Sequence, residues 1–392
     1  MISISTLYCG RALPSHELRY GTRARRRGPV VVFNCTDRCN LSCAHCYSSS
    51  SADAADADDL TTAEAAALLD DLAALRAPVV LFSGGEPLLR EDLPELIARA
   101  AGAGIRPVVS TNGTLITAAL AARLAEAGTA YVGVSIDGLR AAHDAFRGRA
   151  GAFDDALAGI ARCQDAGIKV GLRMTLTRRN VADLEGVFEL VRRRGIPRIC
   201  FYHLVYAGRG SGLRAADLSH ERRREVLDRI MDFAADLHPD RPDAEVLTVD
   251  NHADGPFVVL RLRREDPPRA ERALALLRAG GGNASGVRLA AVTHTGAVLP
   301  DQFSAGWVLG NVRRRRFGEI WHDGSNELLA RLRARPRAVA GRCRTCRWLH
   351  VCNGNFRARA EAATGDRWAC DPQCYLTDDE IAPEDPDNAG ET

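Results

Sequence analysis

Lysine is almost missing: Lys169 is the only one in the 392-residue chain, so arginine carries nearly all the positive charge. Beside so much alanine, this skew reflects a GC-rich genome more simply than selection for anion binding. Arginine clusters are therefore discounted as signs of a ligand. An excess of one sign is missing too: 52 basic against 50 acidic residues leave a net charge of +2, no general reason to expect nucleic acid. No apolar run approaches the roughly 18 residues of a membrane span. The N-terminal stretch MISISTLYCGRALPSHELRYG has no basic segment leading into a long apolar core, which predicts no secretory signal. The expected compartment is the cytoplasm, with no membrane partner. With 46% apolar and 26% charged residues, general disorder is excluded as well. At roughly 100–200 residues per domain, the length allows two domains or one large barrel with an extension.

What the chain has in excess is cysteine, twelve in all. In a cytosolic protein such a number points to metal ligands or catalysis rather than disulfides. Cys39, Cys43 and Cys46 form one tight group, and Cys343, Cys346, Cys352, Cys370 and Cys374 another. Cys9, Cys35, Cys163 and Cys200 are scattered and read as small buried hydrophobes.

From about residue 29 to 236, short β-branched runs alternate with alanine-rich helical stretches. Strands are predicted at 29–34, 78–83, 106–111, 130–137, 169–177 and 198–205, and helices at 62–76, 92–103, 117–127, 153–166 and 181–194. Thr61 to Glu64 resembles a capping box, and Asn180 is placed to cap the helix after it. Consecutive β-α units imply parallel strands covered by helices. Six are too few for a closed eight-stranded barrel, so the expected fold is α/β, a partial (β/α)6 TIM-like barrel or open sheet. Beyond about 245 the rhythm is lost, apart from a short hairpin at 289–299 around Gly296 and a helix at 327–335. The expected divisions are an N-terminal segment 1–28, a barrel 29–236, a linker and substrate-side region 237–340, a cysteine-rich region 341–381 and a frayed tail 382–392. A region as small and loop-rich as 341–375 needs a staple, and metal is the natural one.

Cys39-Asn-Leu-Ser-Cys43-Ala-His-Cys46 directly follows the first predicted strand. Zinc would usually want a fourth nearby ligand; three thiols without one suit an iron–sulfur cluster with one open iron. Other unusual residues also follow strands: Gly84-Gly85-Glu86-Pro87 after the second, Ser110 to Gly113 after the third, Ser135 to Gly138 after the fourth. Parallel α/β folds bind ligands at the carboxyl ends of strands, so these segments should surround one site.

With this C-x3-C-x2-C triplet the chain resembles the radical S-adenosylmethionine (SAM) superfamily. The resemblance implies that Cys39, Cys43 and Cys46 hold a 4Fe-4S cluster whose fourth iron chelates SAM. It places His45 near the adenine, and Gly84, Gly85 and Glu86 at the SAM amino group. Asn112, Ser135 and Asp137 fall among the strand-end polar positions near the cofactor. Arg173 suits the SAM carboxylate, or is a strand-edge arginine. The second group resembles a SPASM-type extension with an auxiliary 4Fe-4S cluster on Cys343, Cys346, Cys352 and a fourth cysteine. Spacing alone allows zinc there, and does not choose between Cys370 and Cys374. The resemblance chooses Cys374, within Asp371-Pro-Gln-Cys374-Tyr-Leu.

Longer strings at 201–210, 248–255, 281–286, 341–348, 352–357 and 371–378 resemble the tetrapyrrole-tailoring branch, which includes the heme d1 (NirJ) proteins and the 12,18-didecarboxysiroheme deacetylases. The implied function is removal of side chains from a siroheme-derived tetrapyrrole, with an electron donor such as flavodoxin or ferredoxin. Such a substrate asks for a wide apolar slot, cations for its carboxylates and an imidazole for its iron. His203, His252 and His294 are the imidazole candidates, and Arg209 and Arg261 the cations. Two other readings compete: a SPASM maturase of a ribosomal peptide, and a non-catalytic iron–sulfur electron carrier. The short stretch before the first strand counts against the first, and the GGEP segment against the second.

Overall fold

The computed structural model describes residues 1–13, 15–21, 28–54 and 58–383; of the tail expected at 382–392, positions from 384 on lie outside the described residues. The chain forms two compact units, one from Arg26–Asp217 and Ala284–Leu332, the other from Met1–Arg25, Leu218–Asn283 and Arg333–Thr392.

In the first unit, β-branched and aromatic runs make six parallel strands: β1 (Val30–Asn34), β2 (Val79–Ser83), β3 (Arg106–Thr111), β4 (Tyr131–Ser135), β5 (Val170–Leu176) and β6 (Arg198–His203). Each pairs with the next in sequence, with Phe33 opposite Phe82, Ser110 opposite Gly133 and Ser135 opposite Arg173. The other edge of β1 carries β7 (Leu289–Val292) in parallel; β8 (Ala297–Leu299) and β9 (Gly310–Asn311) continue it antiparallel. The predicted hairpin thus exists, and its first strand also extends the parallel sheet. This is the open α/β sheet of a partial barrel.

Helices cover the sheet at the predicted places. Thr62–Ala74 buries Ala65, Leu68, Leu69 and Leu72 along one stripe, and its start is the capping box read from Thr61 and Glu64. Asn180 does not cap as expected. Its amide nitrogen donates to the carbonyls of Thr175 and Asp137, so it ties two strand ends together, while Asp183 begins the helix Leu184–Arg193. The sequence expectations lack the helix Arg140–Arg147, between β4 and the helix Ala152–Asp165, and also the helices His220–Leu237, Asp254–Glu265 and Pro267–Gly280. In Arg140–Arg147 the alternation of small, charged and aromatic residues shows no long apolar stripe.

In the second unit, Ile2–Ser3 pairs antiparallel with the strand Glu245–Val249. Helices His220–Leu237, Asp254–Glu265 and Pro267–Gly280 form most of its body, and the cysteine-rich tail contributes Leu349–Cys352, Arg357–Thr364 and Asp378–Ile381. Among the described residues, no helix is long and apolar enough to cross a membrane.

Candidate functional site

The loop leaving β1 carries the first cysteine group and is fastened from three sides. From the loop after β2, the Gly85 amide donates to the Thr36 carbonyl and the Glu86 amide to that of Arg38, both at 2.8 Å. A Cβ on Gly85 would fall on the Arg38 carbonyl oxygen, so this approach requires glycine. From the helix Arg140–Arg147, the Phe146 carbonyl accepts the Ala44 amide at 2.9 Å, and Arg147 Nη1 donates to Cys43 Sγ at 3.4 Å. From the turn after β6, the Arg209 amide donates to the Cys46 carbonyl, Nε to that of Cys43 at 2.8 Å and Nη1 to that of Ser50 at 2.9 Å.

Cys39 and Cys43 are buried in a small cluster with Leu41, and Cys46 packs against it. Burial pushes the Cys39 thiol up to about 12, and Glu86, Cys43 and Cys46 add to the shift. Thiolates crowded in this way need positive charge, and the buried Arg147 guanidinium supplies it at Cys43. Three thiols on one short loop beside a cation suit a cluster of several irons. Among the described residues no three His, Cys, Asp or Glu side chains are grouped to hold a single metal ion.

The polar residues at the strand ends gather around this loop, and most are spoken for. Glu86 is fully buried; its carboxylate accepts Thr111 Oγ1 at 2.7 Å and the amides of Asn112 and Leu88 at 2.8 and 3.2 Å. Burial lifts its pKa to about 7 against the pull of those donors. These three bonds tie the ends of β2 and β3 to the Glu86 carboxylate. Asn112 donates to Asn40 Oδ1 at 2.8 Å and accepts from Thr114, joining the loop after β3 to the cysteine loop. Asp137 Oδ2 lies 2.5 Å from Arg147 Nη2 and 3.3 Å from His45 Nε2, while Oδ1 accepts the Thr175 amide at 2.7 Å. Burial pushes the Asp137 carboxyl up, but Arg147, His45 and the Thr175 amide outweigh it and hold it below the ordinary range. Burial also pushes His45 down to about 4, so its ring is neutral, set edge-on against Phe146.

Around this loop the buried nitrogens without a protein partner include His45 Nδ1, His143 Nε2, Arg147 Nε and Arg173 Nε. Arg173 crosses β4 where Gly133 leaves it room, and its Nη1 donates to Ser110 Oγ. Ser135, its register partner, is half-buried. Free donor or acceptor capacity on an imidazole and a guanidinium fits a ligand that carries both a nucleobase and a carboxylate.

Two substrate candidates have protein partners. Arg209 donates Nε to the Cys43 carbonyl and Nη1 to the Ser50 carbonyl, which anchors the cysteine loop. Arg261 is occupied by Asp228, Asp232 and Glu265 and lies over the Tyr8 ring. His203 ends β6, buried, and His294 stands in the turn between β7 and β8. Arg147 and His143, both from the helix Arg140–Arg147, are the residues sequence reasoning missed. The signal was present as His143-Asp144-Ala-Phe146-Arg147, but one arginine among so many carries little weight.

In the second unit, five cysteines share one neighbourhood. The Cys343 thiol is pushed up by burial, then by hydrogen bonding to Cys370 and by the proximity of Cys352 and Cys374. Cys370 Sγ accepts the Cys343 amide at 3.2 Å and donates to the Ala340 carbonyl at 3.1 Å. Cys346 Sγ accepts the Trp348 amide at 3.4 Å. Burial raises the thiols of Cys352 to about 11 and Cys374 to about 12. A fully buried ion pair, Arg359 with Asp371 at 2.7 Å, fixes the chain between Cys352 and Cys374. His252 is buried beside it, its amide donating to Asn355 Oδ1 at 2.6 Å. Four thiols are the number that closes a 4Fe-4S cluster and also the number a tetrahedral zinc ion takes.

Comparison with known proteins agrees with this chemistry. Residues 33–191 match the radical SAM superfamily, and residues 285–347 match SPASM, an iron–sulfur cluster-binding domain. The chain is 51% identical over 395 residues to Fe-coproporphyrin III synthase of Methanosarcina barkeri, covering 97% of this chain and 99% of that protein. It is 44% identical to pre-heme d1 synthase of Dinoroseobacter shibae over 89% of this chain and 86% of that one. Among solved structures, anSMEcpe with bound AdoMet shares the fold, with a TM-score of 0.67 at 19% identity, over 88% of this chain and 90% of that one.

Proposed function

We propose that this chain, which belongs to the radical SAM/SPASM tetrapyrrole-tailoring enzymes, removes carbon side chains from an iron-bearing, siroheme-derived tetrapyrrole. That it is a radical SAM enzyme using SAM and iron–sulfur clusters follows from the family. The substrate is the proposal, and near full-length likeness to Fe-coproporphyrin III synthase carries it. The two ring carbons that carry acetates in 12,18-didecarboxysiroheme also carry methyl groups, so loss of those acetates leaves the methyl pattern of an iron coproporphyrin.

In this reading Cys39, Cys43 and Cys46 hold the SAM-binding cluster, and Cys343, Cys346, Cys352 and Cys374 the second. When bound, cluster and SAM supply a 5′-deoxyadenosyl radical able to take a hydrogen atom from an unactivated carbon. The protein's own work is positional. Arg209, Arg147 and the Gly84-Gly85 backbone fix the cysteine loop. His45, Asn112, Ser135 and Arg173 line the cofactor side, with Asp137 holding His45 and Glu86 shaping the ends of β2 and β3. His203, His252 and His294 are the imidazole candidates for the substrate iron. A donor such as flavodoxin or ferredoxin supplies the electrons.

The test is substrate-dependent SAM cleavage. Under reducing, anaerobic conditions, adding 12,18-didecarboxysiroheme should raise 5′-deoxyadenosine release well above the uncoupled background. A response only to a heme d1 precursor would move the enzyme to the branch of its second relative. No response to either tetrapyrrole would refute the substrate class.

A further inference from the structure

Arg147 is almost entirely buried, yet it neither reaches solvent nor binds backbone carbonyls, as a structural arginine usually does. One terminal nitrogen donates to Cys43 Sγ at 3.4 Å, and the other meets Asp137 Oδ2 at 2.5 Å. Asp137 is itself buried and faces His45 at 3.3 Å. Arg147 is thus a cation bonded directly to the Cys43 sulfur, and Asp137 is its counter-ion. Packing alone does not call for this arrangement: a buried ion pair is seldom more stabilising than apolar residues of the same shape.

A cluster held by thiolates becomes more negative when it accepts an electron. A cation donating a hydrogen bond to a ligating sulfur stabilises that reduced state, and a nearby carboxylate opposes it; both act more strongly where water is excluded. We propose that the Arg147–Asp137 pair sets the reduction potential of the cluster on Cys39, Cys43 and Cys46, with Arg147 raising it and Asp137 holding that rise in check. This rests on the assignment of those three cysteines as ligands. Arg147 is a positioning and tuning residue that acts through Cys43. The pair also explains why the helix Arg140–Arg147 is inserted between β4 and the next covering helix: it delivers a guanidinium to the cysteine loop.

The experiment is an EPR-monitored potentiometric titration of the full-length, reconstituted chain, following the cluster signal that changes when SAM is added. Arg147→Gln should move the midpoint to more negative potential, with the reduced-to-oxidised ratio at a fixed potential falling at least tenfold, which is about 59 mV for one electron. Arg147→Lys, which keeps the charge, should recover part of that shift. Asp137→Asn should move the midpoint the other way. If Arg147→Gln fails to load iron, the sign of the Asp137→Asn shift decides by itself. Midpoints equal to wild type in iron-loaded variants, or a negative shift for Asp137→Asn, would overturn the proposal. A wild-type chain with no SAM-responsive signal would instead refute the ligand assignment beneath it.

Discussion

Gly85 carries more of the site than its size suggests. Its amide holds the Thr36 carbonyl, and the position of its missing Cβ is taken by the Arg38 carbonyl oxygen. Gly85→Ala should therefore displace the cysteine loop at an overpacking cost of about 1–3 kcal/mol. Expected outcomes are a lower melting temperature and loss of iron at the first cysteine group while the second keeps its own. Replacing Cys39, Cys43 or Cys46 by alanine should abolish SAM cleavage and leave the C-terminal iron in place, dropping the iron count from about eight to about four. Full SAM cleavage by any of these variants would contradict their role. For the fourth auxiliary ligand, Cys374→Ala should lose that cluster, while Cys370→Ser should keep its iron and spectrum. Cys370 lies against Cys343, where it accepts the Cys343 amide and donates to Ala340. Reversed outcomes would exchange the two assignments.

Among elements, the helix Arg140–Arg147 combines the most function with the weakest sequence signal. His143 Nδ1 accepts the Asp137 amide at 3.1 Å, and its ring stands edge-on to Phe153. Burial, followed by repulsion from Arg147, lowers its pKa from 6.5 to about 4. Between those values the unfolded chain binds a proton that the folded chain refuses. The contribution of His143 is thus intact above pH 6.5 and is lost as pH falls toward 4, with a slope of about 1.4 kcal/mol per pH unit. His143→Gln, which keeps an acceptor for the Asp137 amide, should flatten denaturant-measured stability over that interval relative to wild type. Equal slopes in the two proteins would show that His143 is not the titrating group.

The regular elements around this helix were legible in the sequence because each repeats a simple period. Alternating β-branched residues and alanine-rich stripes placed β1 to β6 and their covering helices to within a few residues. Asn180 was misread, and the anchoring role of Arg209 was missed, for a different reason. A strand-end asparagine and a loop arginine have many satisfactory partners, and only the tertiary structure selects among them. Arg147 was hidden by composition, since an abundant arginine carries little information. The strand Glu245–Val249 lacks a β-α context and pairs with Ile2–Ser3, some 240 residues away in sequence, a partnership no local pattern can announce.

At the scale of the whole molecule, each cysteine group sits within its own compact unit, and in each burial pushes a thiol up, Cys39 in one and Cys343 in the other. The fold provides the counter-charges and loop anchors from elements distant in sequence, and the cofactors provide the reactivity. The central claim is that this reactivity is spent on a siroheme-derived tetrapyrrole, and the identity of the product tests it most directly. The reconstituted chain should be incubated anaerobically with SAM, a reductant and 12,18-didecarboxysiroheme, and the tetrapyrrole analysed by mass spectrometry. The account predicts loss of two acetate groups and an iron coproporphyrin as product. An unchanged tetrapyrrole under conditions where SAM is cleaved would contradict it.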